Sequence, residues 1–366
     1  MKILLAYICG FWYYVKRNVL AVLAIVHVAE KATSKLEEVP ERRLKPVKTA
    51  LLYNYKAGKG LAAETVVGRL CDFFAGDELL VTDPGLVFPS LPVQLVDFEP
   101  ADGYFAVIRA RVKALAEAGA ERFISVGGDG TATYVRNAMY ELGLNFPILG
   151  VAAGTANVGP IVSVTLEQLA GKHVSQCHEV CYDGISVFVD GKFQSLAFND
   201  LIVGDTFLGT VEGQTRSISV AALLNDGVIQ PKKPSEHIVT DDFVVEFNGK
   251  DLAPKLRDIK QIVLAPVAHE SHYGRAVYSV VGKCDWSEKK GVIALCDYIA
   301  VSFEDDGAGV DRFSATQYLI FGPNDQVVLR GFTEEACLIC DGNPYFLPSD
   351  RFEVRYEPAL ARTIKL

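Results

Sequence analysis

Residues Arg122–Thr133 read RFISVGGDGTAT, and the fold of the surrounding chain can be inferred from them. Its apolar first half predicts a buried strand, and Thr131–Leu142 predicts a helix that ends at Gly143. Between them lie three glycines, which let backbone N–H groups approach a polyphosphate closely. A helix start adds unsatisfied N–H groups and a partial positive charge. The stretch therefore predicts a phosphate-binding turn between a strand and a helix.

Asp129 is the one residue of this turn that should repel a phosphate. A carboxylate belongs there if it orients a metal-bound phosphate or accepts a proton from an attacking hydroxyl. The alternative is a tight strand-to-helix turn in which Asp129 caps the helix. Glycine-rich motifs alone do not separate these interpretations.

Strands and helices alternate on both sides of this turn, which predicts a mostly parallel, doubly wound, Rossmann-like α/β sheet. The predicted strands are Thr49–Tyr53, Leu79–Thr82, Arg122–Val126 and Pro147–Val151, and the predicted helices are Leu61–Phe74, Ala101–Gly119 and Thr131–Leu142.

The pattern of predicted secondary structure changes near Thr165, after which short strands separated by turn residues dominate. Asp190-Gly191 and Asn248-Gly249 are strong hairpin signals, and Gln194–Val203 predicts one continuous strand. We expect three parts: an apolar extension with its linker (1–46), the α/β domain (47–164) and an all-β sandwich domain (165–366). The last segment of the chain could return to the α/β domain.

Two further loops follow predicted parallel strands and should lie at the same edge of the sheet, where open α/β folds bind ligands. One follows Thr49–Tyr53 and the other follows Pro147–Val151. Asn199-Asp200 interrupts an apolar segment, and a buried polar pair is costly unless it is hydrogen-bonded or directed at a ligand. With the central turn, these loops give the candidate phosphate- or nucleotide-binding residues Asn54, Lys56, Gly58, Gly60, Gly127, Gly128, Gly130, Thr131, Gly154, Thr155 and Asn157.

These motifs together resemble the superfamily of NAD kinases and diacylglycerol kinases. The resemblance covers about Thr49 to Val203, and it looks closest to the ATP-NAD kinase branch that includes acetoin-catabolism X-type proteins. It implies that Gly127, Gly128, Gly130 and Thr131 contact nucleotide phosphates. Asp129 matches the motif aspartate that acts on the ribose 2′-hydroxyl in NAD kinases.

The resemblance extends to two segments of the second half, with departures. Asn199-Asp200 matches an Asn-Glu pair that holds the adenosine part of NAD, with Asp one methylene shorter than Glu. Asp341-Gly342-Asn343 looks like a carboxyl-terminal element of the superfamily, with a plain hairpin turn as the equal alternative. The Thr-Gly-Ser-Thr-Ala-Tyr signature of NAD kinases is absent, and the lipid-kinase Gly-Thr-Gly-Asn-Asp is only partly matched.

Composition limits the partners. A net charge of −9 argues against general nucleic-acid binding, which needs a basic face, but a local nest of N–H groups can still hold a small nucleotide. Cys337 and Cys340 have C-x-x-C spacing inside an apolar run. That setting predicts buried structural thiols, as in a reducing cytoplasm.

The amino-terminal run Ile3–Val15 is apolar but too short to span a bilayer as a helix, and Lys16 and Arg17 break it. We expect it to pack on the protein or on another subunit of a homo-oligomer, with membrane association the less favoured alternative. No small-residue cleavage site follows, so we expect no signal peptide.

The resemblance implies an enzyme that uses ATP or polyphosphate with Mg²⁺ to phosphorylate NAD at the ribose 2′-hydroxyl, giving NADP. Two alternatives stay open. The acceptor could be a lipid such as diacylglycerol or a sphingoid base, or the chain could bind nucleotides as a regulatory protein without turnover.

Overall fold

A computed structural model describes residues 46–55, 63–86, 88–153, 157, 159–211, 214–235, 237–267, 289–300 and 314–366. The predictions for residues 1–45, including the apolar extension, lie outside the described residues. Val47–Leu366 form one compact unit. Among the described residues, no helix is long and apolar enough to cross a membrane.

Strands and helices alternate in the first half, as predicted. Their bounds are β1 (Lys48–Tyr53), α1 (Ala63–Phe73), β2 (Glu78–Val81), β3 (Val93–Leu95), α2 (Tyr104–Glu117), β4 (Arg122–Gly127), α3 (Asp129–Glu141), β5 (Ile148–Ala152) and β6 (Val162–Thr165). The short edge strand β3 is not predicted by the sequence. Helix α2 begins three residues later than expected, after Gly103 at φ 88°.

These strands form a parallel sheet in the order β5-β4-β1-β2-β3, with β6 parallel to β5 on the other side. Side chains alternate between its two faces. Leu51 packs with Leu70 of α1, whereas Ala50 packs with Val112 of α2 and Val135 of α3. Burying one such aliphatic side chain contributes about 1.5–3 kcal/mol, so the layers fix where the strand ends lie.

The second half is rich in β-structure, as predicted. Its elements are a short 3₁₀ helix (Val174–Gln176), β7 (His178–Val189), β8 (Lys192–Ala197), β9 (Leu201–Gly204), β10 (Thr206–Val211), β11 (Gln214–Ser219), α4 (Val220–Asp226), β12 (Val239–Phe247), β13 (Lys250–Leu252), β14 (Gln261–Val267), β15 (Lys290–Cys296), β16 (Thr316–Phe321), β17 (Val327–Phe332), β18 (Cys337–Cys340), β19 (Asn343–Phe346) and β20 (Arg351–Lys365). The Asp190-Gly191 and Asn248-Gly249 turns have positive φ at both residues, as type I′ hairpins require.

The strands of this half divide between two sheets. Some extend the parallel sheet, because β20 pairs in parallel with β5 and antiparallel with β7 and β17. Others form a second sheet in the order β16-β15-β14-β9-β18-β19. An apolar core that includes Val187, Leu264 and Val354 lies between the two sheets. The predicted fold class, an α/β region followed by a β-rich region packed as a sandwich, is confirmed. The boundary near residue 165 stays a prediction.

The prediction of one strand over Gln194–Val203 is wrong. Strand β8 ends at Ala197 and belongs to the first sheet, whereas β9 begins at Leu201 in the second sheet. The backbone N–H groups of Phe198, Asn199 and Asp200 lie between these strands and donate to the carboxylate of Asp341. At this junction the Asp341 side chain takes the place of a neighbouring strand as hydrogen-bond acceptor. The apolar residues before and after the junction nevertheless form a continuous pattern, which suggests a single strand.

Candidate active site

The central glycine turn has the predicted form. Strand β4 ends at Gly127, Gly128 is the N-cap of α3, and Asp129 is the first helical residue. The capping alternative is therefore wrong for Asp129. Because the N-cap residue has no side chain, it supplies no acceptor to the N–H groups of the first turn. An open helix start of this kind suits an anion.

Two glycines of the turn are required by close packing. A Cβ added to Gly127 would lie 2.9 Å from the Thr131 side chain. A Cβ added to Gly130 would lie 2.6 Å from Oδ1 of Asn343, whose Nδ2 donates to the Gly130 carbonyl at 3.0 Å. The motif therefore serves packing at these two positions, in addition to any ligand contact.

Asp129 lies beside a segment that sequence reasoning missed. Its Oδ2 accepts a hydrogen bond from the backbone N–H of Gly159 at 2.9 Å. Gly159 is buried, and a Cβ there would lie 3.1 Å from Oδ1 of Asp129. The segment after β5 therefore sets the orientation of the carboxylate.

Asn54, at the end of β1, lies next to the turn as predicted. Its Nδ2 donates to Oγ1 of Thr131 at 2.9 Å, and its backbone N–H donates to the Val126 carbonyl at 3.0 Å. Asn157, in the loop after β5, is partly buried. The other predicted residues of the two flanking loops, Lys56, Gly58, Gly60, Gly154 and Thr155, lie outside the described residues.

The Asn199-Asp200 pair lies at the junction between the sheets. Asn199 is buried, and its Nδ2 donates to Oδ2 of Asp200 at 2.6 Å. Burial, together with the charges of Asp341 and Asp129, raises the pKa of Asp200 to about 8. Asp200 is therefore largely protonated at neutral pH and can both donate and accept hydrogen bonds.

Asp341 organises this junction, and its segment forms the hairpin turn that was one of the two interpretations. Asp341-Gly342 is a hairpin turn with φ of 47° and 80°. The Asp341 carboxylate also accepts hydrogen bonds from the backbone N–H groups at 198–200 and from the Thr133 hydroxyl at 2.8 Å. Burial raises the pKa of Asp341, but these donors favour its ionised form. The proton of the pair therefore resides on Asp200.

The hairpin of β18 and β19 contacts one face of α3. Gly130, Thr133 and Asn137 lie on that face at helical spacing, and they contact Asn343, Asp341 and Tyr345 respectively.

Asn137 also donates to Oγ of Ser195 at 2.9 Å and accepts from the backbone N–H of Leu196 at 2.9 Å. Among the residues in these contacts, Asp341-Gly342-Asn343 can be recognised in the sequence as a motif. The others cannot, because Ser, Asn and Tyr are common in strands and helices.

The C-x-x-C pair has the structural setting predicted for it. Cys337 and Cys340 are both buried in β18, and burial raises the pKa of both thiols, that of Cys337 to about 11. Within the described ranges, no group of three or more His, Cys, Asp or Glu side chains is arranged to hold a metal ion.

The first half of the chain matches a known protein family. Residues 48–165 match the family model described as the diacylglycerol kinase catalytic domain. An uncharacterized protein of Archaeoglobus fulgidus is 26% identical over 244 residues, which are 65% of this chain and 72% of that protein.

Solved structures are similar in fold. A candidate diacylglycerol kinase from Bacillus anthracis str. Sterne has a TM-score of 0.52 at 12% identity, over 87% of this chain and 97% of that one. Yeast NADH kinase complexed with NADH has a TM-score of 0.49 at 12% identity, over 87% and 83%. Residues 48–165, which include the glycine turn, therefore match the diacylglycerol kinase catalytic domain, and the chain shares its fold with the candidate diacylglycerol kinase.

Proposed function

We propose that this chain transfers a phosphoryl group from ATP to an alcohol hydroxyl, and that the acceptor is the ribose 2′-hydroxyl of NAD. The observation that carries the proposal is the position of Asp129. It is the first residue of a helix that directly follows Gly127 and Gly128, and the Asn199-Asp200 pair lies close enough for the charge of Asp129 to raise the pKa of Asp200.

In this mechanism Asp129 accepts the proton of the acceptor hydroxyl as the hydroxyl oxygen attacks the γ-phosphorus, and the bond between that phosphorus and the β,γ-bridging oxygen breaks to release ADP. The N–H groups at the start of α3 hold the donor phosphates, with Thr131 fixed by Asn54 beside them. Positioning and electrostatic stabilisation supply the rate, and no covalent intermediate on the protein is needed.

Magnesium fits the chemistry of the residues present. Carboxylate oxygens are ligands that Mg²⁺ accepts, and Mg²⁺ is commonly held by one or two carboxylates together with substrate phosphates. The donor phosphates would carry the ion to the start of α3, where it would neutralise charge on the transferred phosphate, and Asp129 would lie close enough to orient it while it keeps its role as proton acceptor.

The Asn199-Asp200 pair suits a polar acceptor. An amide and a protonated carboxyl can together donate to and accept from ribose hydroxyls or adenine nitrogens. Such a pair is expensive to bury against an apolar ligand that offers no partners. This chemistry favours a nucleotide as the acceptor over a lipid.

A diacylglycerol-type lipid is the second candidate, and the family match over residues 48–165 favours it. The discriminating experiment incubates purified full-length protein with labelled ATP and Mg²⁺, and separately with polyphosphate, in the presence of NAD, diacylglycerol or a sphingoid base. Formation of NADP supports the proposal, and lipid phosphate without NADP supports the second candidate. Tight nucleotide binding by calorimetry, with no product from any combination of donor and acceptor, would refute both kinase candidates. The chain would then be a nucleotide-binding protein without turnover.

Asp129→Asn tests the assigned base directly. We expect its turnover rate to fall by about 10²-fold or more, while nucleotide affinity changes little. Asp72→Asn, at an exposed aspartate of α1, is the matched control and should keep full turnover. Equal rates for Asp129→Asn and wild type would remove Asp129 from the mechanism.

A further inference from the structure

Lys365 reaches the candidate active site from the last strand, and the mechanism above gives it no role. It lies at the end of β20, where Thr363 pairs with Ile148 of β5. Its Nζ donates a hydrogen bond to the carbonyl of Pro160 at 2.5 Å. Pro160 directly follows Gly159, the residue whose N–H binds Asp129. The lysine and the aspartate therefore contact the two ends of one dipeptide.

The surroundings of this lysine are unusual for a surface cation. Gly159 and Pro160 are buried, the ammonium lies 4.9 Å from the centre of the Tyr182 ring, and Tyr182 is itself buried. Burial lowers the pKa of Lys365 to about 8, and the nearby charge of Asp129 opposes that shift. Lys365 itself is half-buried, and the Pro160 carbonyl and the Tyr182 ring replace part of the water that its ammonium loses.

The dipeptide has little freedom to shift relative to Asp129. A Cβ at Gly159 would approach the Asp129 carboxylate to between 3.1 and 3.5 Å, so the backbone of Gly159 already lies against both carboxylate oxygens. A displacement of the dipeptide would either break the hydrogen bond to Asp129 or push its side chain to another rotamer. Lys365 holds the carbonyl side of this dipeptide.

We propose that Lys365 is a positioning residue for Asp129. It anchors Gly159-Pro160, and the Gly159 N–H then fixes the orientation of the Asp129 carboxylate. The inference rests on the proposed function, in which Asp129 accepts the proton of the attacking hydroxyl. It deepens that function by naming a residue from the far end of the chain, outside the region that matches the family model.

Lys365→Met removes the ammonium and keeps most of the side-chain volume. Because a misplaced catalytic group can cost about 10²-fold in rate, we expect kcat to fall by about 10- to 10²-fold while KM for both substrates stays within about twofold. Lys365→Arg keeps a charged donor and should restore much of kcat.

Arg362→Met is the matched control. Arg362 lies on the same strand and its guanidinium binds Glu179 at 2.6 Å on the exposed surface, so its loss should leave kcat unchanged. A fall in kcat that is the same for Lys365→Met and Arg362→Met, or that Lys365→Arg does not relieve, would overturn the proposal.

A second measurement does not depend on turnover. Hydrogen–deuterium exchange followed by mass spectrometry can isolate the Gly159 N–H, because Pro160 has none. We expect exchange at Gly159 to be at least about tenfold faster in Lys365→Met than in wild type, and unchanged in Arg362→Met. Unchanged exchange in Lys365→Met overturns the positioning role. If wild type phosphorylates no acceptor while Gly159 exchange responds as expected, the proposed function fails and the structural link between Lys365 and Asp129 stands.

Discussion

Replacing Asp341 by asparagine should loosen the junction at which the Asn199-Asp200 pair is held. In the native protein, Oδ1 of Asp341 accepts from the N–H groups of Asn199 at 2.8 Å and Asp200 at 3.1 Å. Its Oδ2 accepts from the N–H of Phe198 at 2.9 Å and from the Thr133 hydroxyl at 2.8 Å. An asparagine has only one oxygen to offer these four donors.

The magnitude follows from this geometry. If the asparagine oxygen takes the Oδ1 position, its NH₂ group faces the N–H of Phe198, and the Thr133 hydroxyl must reverse to accept. Hydrogen bonds to a charged group contribute about 1.5–3 kcal/mol each, and a buried donor left without an acceptor costs about 1–3 kcal/mol. The cost of burying the ionised Asp341 carboxylate is no longer incurred by the neutral asparagine, which offsets part of this loss. We expect the free energy of unfolding to fall by about 2–4 kcal/mol.

Urea unfolding followed by fluorescence, with the slope of the transition held in common, measures this change. Thr133→Val is the matched control because it removes one of the four donors, and it should cost about 1 kcal/mol. An Asp341→Asn protein whose stability lies within about 0.5 kcal/mol of wild type, a difference typical of surface changes, would refute the assignment of Asp341 as the group that holds the junction.

Two further predictions concern neighbouring positions. Gly130→Ala should cost about 1–3 kcal/mol of unfolding free energy, because its Cβ would displace the Asn343 amide. Gly68→Ala, in open space within α1, should instead stabilise by about 0.5–1 kcal/mol, and thermal unfolding of both variants checks the contrast. The pKa of Asp200 is raised to about 8 in the folded protein. The stability contributed by the protonated carboxyl of Asp200 is therefore fully present below its unfolded pKa, near 4, and is lost as pH rises through 8. The stability of Asp200→Asn relative to wild type should therefore increase between about pH 5 and pH 8, by on the order of 1 kcal/mol per pH unit, and a difference that shrinks with rising pH contradicts this.

The sequence predicts the first half of the fold well because its signals are local. Strand β4 and helix α3 fall within two residues of their predicted starts, since an apolar run, three glycines and an amphipathic stretch occur in that order. The parallel order of the strands then brings Asn54 to Thr131, as the rule for strand ends in open α/β sheets predicts.

The second half of the fold is less predictable from the sequence, because the contacts that determine it join residues far apart in the chain. The apolar pattern of Gln194–Val203 is continuous, yet the strand breaks where the Asp341 carboxylate binds three successive N–H groups. Periodicity reports which face of a strand is buried, and it carries no information on which sheet the strand joins. For the same reason nothing in the sequence near Lys365 points to Asp129.

The contacts along α3 explain why the glycine motif is only half of the site. The first turn of α3 carries Asp129, and the hairpin of β18 and β19 binds the same helix at Gly130, Thr133 and Asn137. That hairpin also holds the Asn199-Asp200 junction through Asp341. One rigid unit therefore fixes the base relative to the pair that we propose binds the acceptor.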